Sequence, residues 1–258
     1  MRPPTRGEGD EPSGSSAERS LRLLAQLASG GQVLGVNELA QRLSLPKATA
    51  HRLCVQLMAG GWLARDTDEK RFAIGPALRR LALDTLNHGE QRGLRHAVLD
   101  ALVQEVGETC NFTTLDGAEV VYLDRVEARW PLRLTLDVGS HVPLHCTASG
   151  KLFLAHMPPA RRDALLDQLA LHAMTPHTRT SKQVLRAECQ VIVRQGYSTD
   201  EEEYIVGLLA VAVPVFDDSG QVRAALAVHA PSARMPLQSA MARLPALQDA
   251  AARMAALL

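Results

Sequence analysis

Three short amphipathic helices followed at once by a hairpin pattern are the feature that most limits how this chain can fold. They occupy residues 17–75. In "AERSLRLLAQLASG", Leu21, Leu24, Leu27 and Ala28 recur at helical spacing as one apolar stripe, stopped by Ser29-Gly30-Gly31. "VNELAQRLSL" follows, with Asn37 placed as an N-cap and Leu39, Ala40 and Leu43 facing inward. The tight turn "LSLPK" leads into "LPKATAHRLCVQLMAGG", where Pro46 opens a third helix and Gly60-Gly61 closes it. "WLARDTDEKRFAIG" then alternates apolar and polar residues about a polar turn, as a β-hairpin does. The order spells a winged helix-turn-helix. A small helical packing module without a ligand is the bland alternative.

Formal net charge is zero, so no global positive field attracts nucleic acid and any such binding must come from a local patch. The third helix supplies one. Lys47, Thr49, His51 and Arg52 fall on or near one exposed face, while Leu53, Leu57 and Met58 face the core. Side chains at the front of such a helix reach base edges in the major groove, and its first amides can hold a phosphate. Arg65, Lys70 and Arg71 lie on the hairpin, where a wing would meet the backbone or minor groove. Singly each is an ordinary solvated charge; their joint placement on neighbouring elements is the signal.

The organisation read from the chain is a disordered tail at 1–16, the DNA-binding domain at 17–75, a linker helix at 76–90 and a second domain at 91–258. The tail is polar and rich in Pro, Gly and Ser, with no signal-peptide pattern. The second domain interleaves strand-like runs ("CNFTTL", "EVVYLDRVE", "LRLTLDV", "LLAVAVPVF", "VRAALAVHA") with helices, which predicts an α+β fold: one antiparallel sheet with helices on its faces. Asp116-Gly117 marks a hairpin turn. "YIVGLLAVAVPVF" is too short to span a bilayer, so no membrane partner is expected. Four dispersed cysteines without a C-x-x-C pair fit a reducing cytoplasm rather than a disulfide framework.

The densest chemistry lies in "GSHVPLHCTASGKLFLA" at 139–155. A phosphate-binding loop would need glycine at 145 and a hydroxyl at 152, and these are His145 and Leu152. A nucleophile elbow would need glycines two residues either side of Ser149, where Thr147 and Lys151 stand. Cys146 beside His145 has no third group to orient the pair, so no catalytic residue is expected. His141, His145, Cys146 and His229 are suitable metal ligands, but nothing in their spacing demands a metal, and no cofactor is expected. What remains is an anion pocket. Small residues and hydroxyls from Cys146 to Gly150 stand where a loop turns into a helix, and the free amides of Ala148, Ser149 and Gly150 suit a carboxylate. A plain capped helix start explains the stretch equally well. Asp200 opens an acidic run, Glu201-Glu202-Glu203, which reads either as a solvated loop or as a partner for a ligand's polar end. Trp130 suits a ligand wall or a subunit contact.

Taken together, "LPKATAHRLCVQLMAGGWLARD…RFAIGPAL", "GSHVPLHCTASGKLFLA" and "RQGYSTDEEEYIVGLLAVAVPVFD…AALAVHAPSARM" resemble the recognition helix, wing and effector-domain signatures of IclR-family transcriptional regulators, in order and spacing. The resemblance implies a winged helix-turn-helix, a linker helix and a GAF-like ligand-sensing domain. It also implies homodimers, or dimers of dimers, on double-stranded palindromic operators near metabolic genes. In family terms the effector pocket would be lined by Ala148 and Ser149, by Asp200, Leu208 and Ala210, and by Ala227 and His229, with Cys146 and Gly150 in the same loop-to-helix segment. Ala48 stands where relatives carry Ser or Thr, so one hydroxyl contact to DNA is expected to be missing. Alanines at 210 and 227 make the pocket less polar than in relatives with Cys or Ser there. A larger organic acid, aromatic ones included, is therefore expected in place of pyruvate or glyoxylate. Two other readings stay open on the residues: a hydrolase or lyase in the second domain, or a module that binds only proteins.

Overall fold

The computed structural model describes residues 15–30, 33–66, 70–87, 90–131 and 136–258. The tail up to residue 14, the wing tip at 67–69 and residues 132–135 of the expected strand "LRLTLDV" lie outside the described residues. Two compact units divide within a helix, one ending at Asp84 and the other beginning at Thr85.

The first unit opens with α1 (Ser16–Gly30), so its helix begins at the residue assigned as the last of the tail. Leu23, Leu24 and Leu27 are its buried face, whereas Leu21 is 66% exposed. The stripe is rotated from the expected one because Leu23 closes it instead. A two-residue strand, β1 (Leu34–Gly35), leads into α2 (Val36–Arg42). The helix starts two residues earlier than Asn37 would set it: Gly35 is the N-cap, and its backbone N–H donates to Glu38 Oε2 at 2.8 Å. Leu39, Ala40 and Leu43 are buried as expected. The turn into α3 (Lys47–Ala59) passes through Ser44 in the left-handed region at φ 53°. Pro46 is the N-cap of α3 rather than its first helical residue. Ala50, Leu53 and Cys54 are buried and Leu57 and Met58 are packed beside them. β2 (Leu63–Arg65) and β3 (Arg71–Ile74) form the hairpin, and β1 joins the other side of β3. Phe72 is fully buried and ties this small sheet to the helices. α4 (Pro76–Asn87) carries the chain across the division between units, ending short of the expected residue 90.

The second unit holds α5 (Glu90–Val106), β4 (Thr109–Asp116), β5 (Glu119–Val126), β6 (His141–Pro143), α6 (Ala148–His156), α7 (Pro159–Gln168) and α8 (Lys182–Gln195). It continues with β7 (Ser198–Glu201), β8 (Leu208–Phe216), β9 (Val222–Pro231), α9 (Leu237–Met241) and α10 (Leu244–Ala255). Six strands make one antiparallel sheet in the order β6-β5-β4-β9-β8-β7. The chain is thus α+β, with helices on both sheet faces. Pairing of Asn111 with Ala227, and of Ala227 with Ala212, puts these residues on the face that α6 covers through Ala148. Phe112 points the other way, beneath the Arg95 guanidinium of α5, and α10 packs beside α5. Strands covered on both faces read as continuous apolar runs, which is why β8 and β9 are legible. Pro214 lies past the β7 pairing, where its missing N–H breaks no ladder on that side. β6 and β7 are short sheet edges with polar residues, and the sequence offered no strand pattern for them. The single expected terminal helix is two, α9 and α10.

Candidate functional site

The DNA-facing candidates fall where the helix-turn-helix reading put them. Lys47, Ala48, His51 and Arg52 are exposed on α3, and Thr49 is half-buried. The start of α3 has no side-chain cap, so its first amides are open to an external acceptor such as a phosphate. On the wing, Arg65, Lys70 and Arg71 are exposed at the hairpin ends. Arg65 lies over the Phe72 ring at 4.8 Å, which holds the guanidinium against the wing's own core.

The second unit contains a cavity between the sheet and the start of α6. Ala148, Ser149, Asp200, Leu208, Ala210, Ala227 and His229 all line it. Sequence reasoning did not single out Asn111, Tyr122 and Tyr204, which also line it; strand alternation on β4 and β5 was the available signal for the first two. Cys146 and Gly150 stay out of the lining. Gly150 is pressed against the Leu144 backbone so closely that a Cβ would sit 2.5 Å from Leu144 Cα. The Cys146 thiol is buried, and burial pushes its pKa up to about 12. Space open to the centre of a water molecule is about 30 Å³, a few water positions at most. Tyr122, Tyr204 and His229 line the same cavity as the two alanines.

Both readings of the α6 start hold at once. Thr147 is a true N-cap: its Oγ1 accepts from Gly150 N at 3.1 Å and donates to Pro143 O at 2.7 Å. That removes Gly150 from the set of available amides. Ala148 and Ser149 keep first-turn N–H groups that have no intrahelical acceptor, beside the cavity.

Asp200 is buried, and its Oδ1 accepts from Glu203 N at 2.8 Å and Tyr204 N at 3.3 Å. Burial outweighs those hydrogen bonds and raises its pKa to about 7. His229 is held neutral, its pKa lowered to about 3, first by burial and then by the Arg125 guanidinium. Its Nδ1 lies 2.7 Å from Asn111 Nδ2.

The acidic run is not a solvated loop. Glu203 is 2% exposed and pairs with Lys151, a fully buried residue of α6. Lys151 also meets Glu188 Oε1 at 2.7 Å, and Arg179 bridges Glu188 at 2.6 Å and Glu203 at 2.8 Å. Two cations and two carboxylates thus balance behind the cavity. A lysine amid the apolar residues of "GKLFLA" was the one sequence hint. Glu202 accepts from Gly207 N and Ser232 Oγ, and only Glu201 faces solvent. The other histidines are structural: His145 Nε2 lies 2.9 Å from His172 O, and His141 Nε2 lies 3.0 Å from Asp116 Oδ2. Trp130 does not line the cavity; its Nε1 donates to Gly107 O and Arg234 covers its ring. Among the described residues no cluster of three His, Cys, Asp or Glu side chains is placed to hold a metal, and no helix is long and apolar enough to cross a membrane.

Comparison with known proteins places both units. The IclR helix-turn-helix domain matches residues 16–67, and the bacterial transcriptional regulator IclR C-terminal domain matches residues 85–256. The probable transcriptional regulator SauR of Cupriavidus necator is 40% identical over 242 residues, 94% of this chain and 96% of its own. The crystal structure of the Thermotoga maritima IclR superposes with a TM-score of 0.63 at 27% identity, covering 93% of this chain and 97% of that one. An IclR homologue from Microbacterium hydrocarbonoxydans, solved in complex with 4-hydroxybenzoate, gives a TM-score of 0.58 at 26% identity, covering 95% and 99%. These relatives are regulators of transcription, which removes the hydrolase or lyase reading. The chain belongs to the IclR family of transcriptional regulators, with a helix-turn-helix unit ahead of an IclR effector domain.

Proposed function

We propose that the chain binds a palindromic operator as a homodimer or dimer of dimers, and that a compact organic acid in the α6 cavity controls that binding of genes for its own metabolism. The observation that carries the reading is the pairing of an exposed basic helix front with a small cavity of mixed polar and apolar lining in a separate unit. Lys47 and Arg52 reach phosphate or guanine, Thr49 and Ala48 meet the duplex surface between them, and His51 extends the same face. Arg65, Lys70 and Arg71 steady the wing against the backbone. The relative crystallised with 4-hydroxybenzoate supports an acidic effector. The small open space in the cavity, about 30 Å³, favours a compact acid.

The test is operator binding by the full chain, followed by fluorescence anisotropy across salt concentrations. Affinity falls steeply with salt, because phosphate contacts release counterions. Arg52→Ala weakens the operator complex by about 1–3 kcal/mol if it reads a base. Operator affinity that ignores both salt and Arg52 would leave the protein-only module as the better account.

A further inference from the structure

The large sheet ends at β7, which pairs with β8 on one side; no strand among the described residues pairs with its other side. Glu202 N donates to Leu208 O, which sets the alternation of the strand before it. Ser198 and Asp200 turn their backbone groups to β8, and Thr199 and Glu201 turn theirs outward. That open edge borders a groove of about 510 Å³ walled by α8 and α9. Val184, Ala187 and Val191 stand at helical spacing along the α8 wall, with Val184 47% and Val191 42% exposed. Leu237 and Met241 supply the α9 wall. Gln195 Nε2 donates to Tyr197 O at 2.8 Å and so closes the edge at its start. Apolar walls beside an open strand edge suit one more strand: main-chain bonds hold it and the walls select its side chains.

Charge narrows the occupant. Arg179 and Glu188 line the groove, but both belong to the balanced quartet with Lys151 and Glu203. Glu201 is left over. It is exposed, its Oε1 accepts from Thr199 Oγ1 at 3.2 Å, and among the described residues no cation pairs with it. A residue placed across from it on a neighbouring strand is favoured when cationic and disfavoured when acidic. A second copy offered edge to edge sets one hollow against another, because a two-fold contact uses the same surface twice.

We propose that the groove between α8 and α9 is a docking site for an extended basic segment of a partner protein, which adds to β7 as a seventh strand. Its side chains turn alternately to the two sides. Apolar ones lie against Val184 and Val191, and a lysine or arginine lies opposite Glu201. The site is separate from the effector cavity and does not depend on that reading, although Asp200 of the same strand lines the cavity.

The experiment uses the full chain and an end-blocked heptapeptide that alternates valine with lysine, with binding read by calorimetry. Two comparison peptides carry glutamate in place of lysine, or methyl groups on the amide nitrogens of the lysine peptide. The lysine peptide binds, and methylation abolishes binding because the strand bonds are lost. Glu201→Lys weakens the lysine peptide by about fivefold and strengthens the glutamate peptide by a similar factor. Thr199→Pro removes an outward N–H without touching the β8 ladder, and weakens the lysine peptide by about tenfold or more. Operator affinity reports that each variant is folded, and Glu201→Lys decides if Thr199→Pro is not. No binding of the lysine peptide, equal affinity for the two charge types, or wild-type affinity in both variants overturns the docking site. Self-association of the chain that the lysine peptide disrupts would assign the groove to a second copy, and that also overturns the proposal.

Discussion

Asp200 shows most sharply how one side chain answers to two demands. It organises the loop ahead of β8 by accepting the Glu203 and Tyr204 amides, and it is also a wall of the cavity. Burial raises its pKa from an ordinary carboxylate value to about 7. Between the unfolded value and about 7 the folded state binds the extra proton, so folding loses stability as pH rises across that window and levels off above it. Asp200→Asn keeps an oxygen for the two amides and removes the titration. Denaturant melts from pH 4 to 8 are therefore expected to show wild type declining relative to the variant as pH climbs toward about 7. Parallel curves for the two proteins would mean that Asp200 titrates normally. The same residue marks what the sequence can and cannot tell. A carboxylate before an apolar strand is visible as a candidate, but the folding of Glu203 back onto Lys151 is not. That ion pair joins positions 52 residues apart along the chain, and charge patterning along a chain carries no information about such a partner.

At the scale of elements, the seat of α6 decides whether a cavity exists. Thr147 caps the helix, and Gly150 lets its first turn approach the Leu144 backbone. A methyl group at position 150 has no flexible neighbour to displace, so the turn must shift outward. Gly150→Ala is expected to cost about 1–3 kcal/mol in chemical denaturation and to weaken acid binding at the same time. Wild-type stability in that variant would show that the close approach is slack. The helix-turn-helix was the most legible part, because α2, α3 and the hairpin declare themselves by period, by Pro46 and by Gly60-Gly61. The caps were less so: Gly35 replaced Asn37 at the start of α2 because Glu38 reaches back to the Gly35 amide. β6 and β7 escaped because short edge strands need not alternate. The Arg125–Asn111–His229 contact escaped because it depends on register across three strands, which no single stretch of sequence encodes.

On the scale of the whole molecule, the two units share one chain through α4, and the account requires them to share one equilibrium. An acid can change operator affinity only through different affinities for the DNA-competent and DNA-incompetent states. Linkage makes this reciprocal: the factor by which the acid changes operator affinity is the factor by which the operator changes acid affinity. The residues proposed to meet the duplex and those that line the cavity belong to different units. The most direct test is calorimetry of the acid against the full chain, free and saturated with operator, set beside anisotropy of the operator with and without the acid. The account predicts two equal factors, both well away from one. An acid that binds the cavity with the same affinity whether or not the operator is present would contradict it.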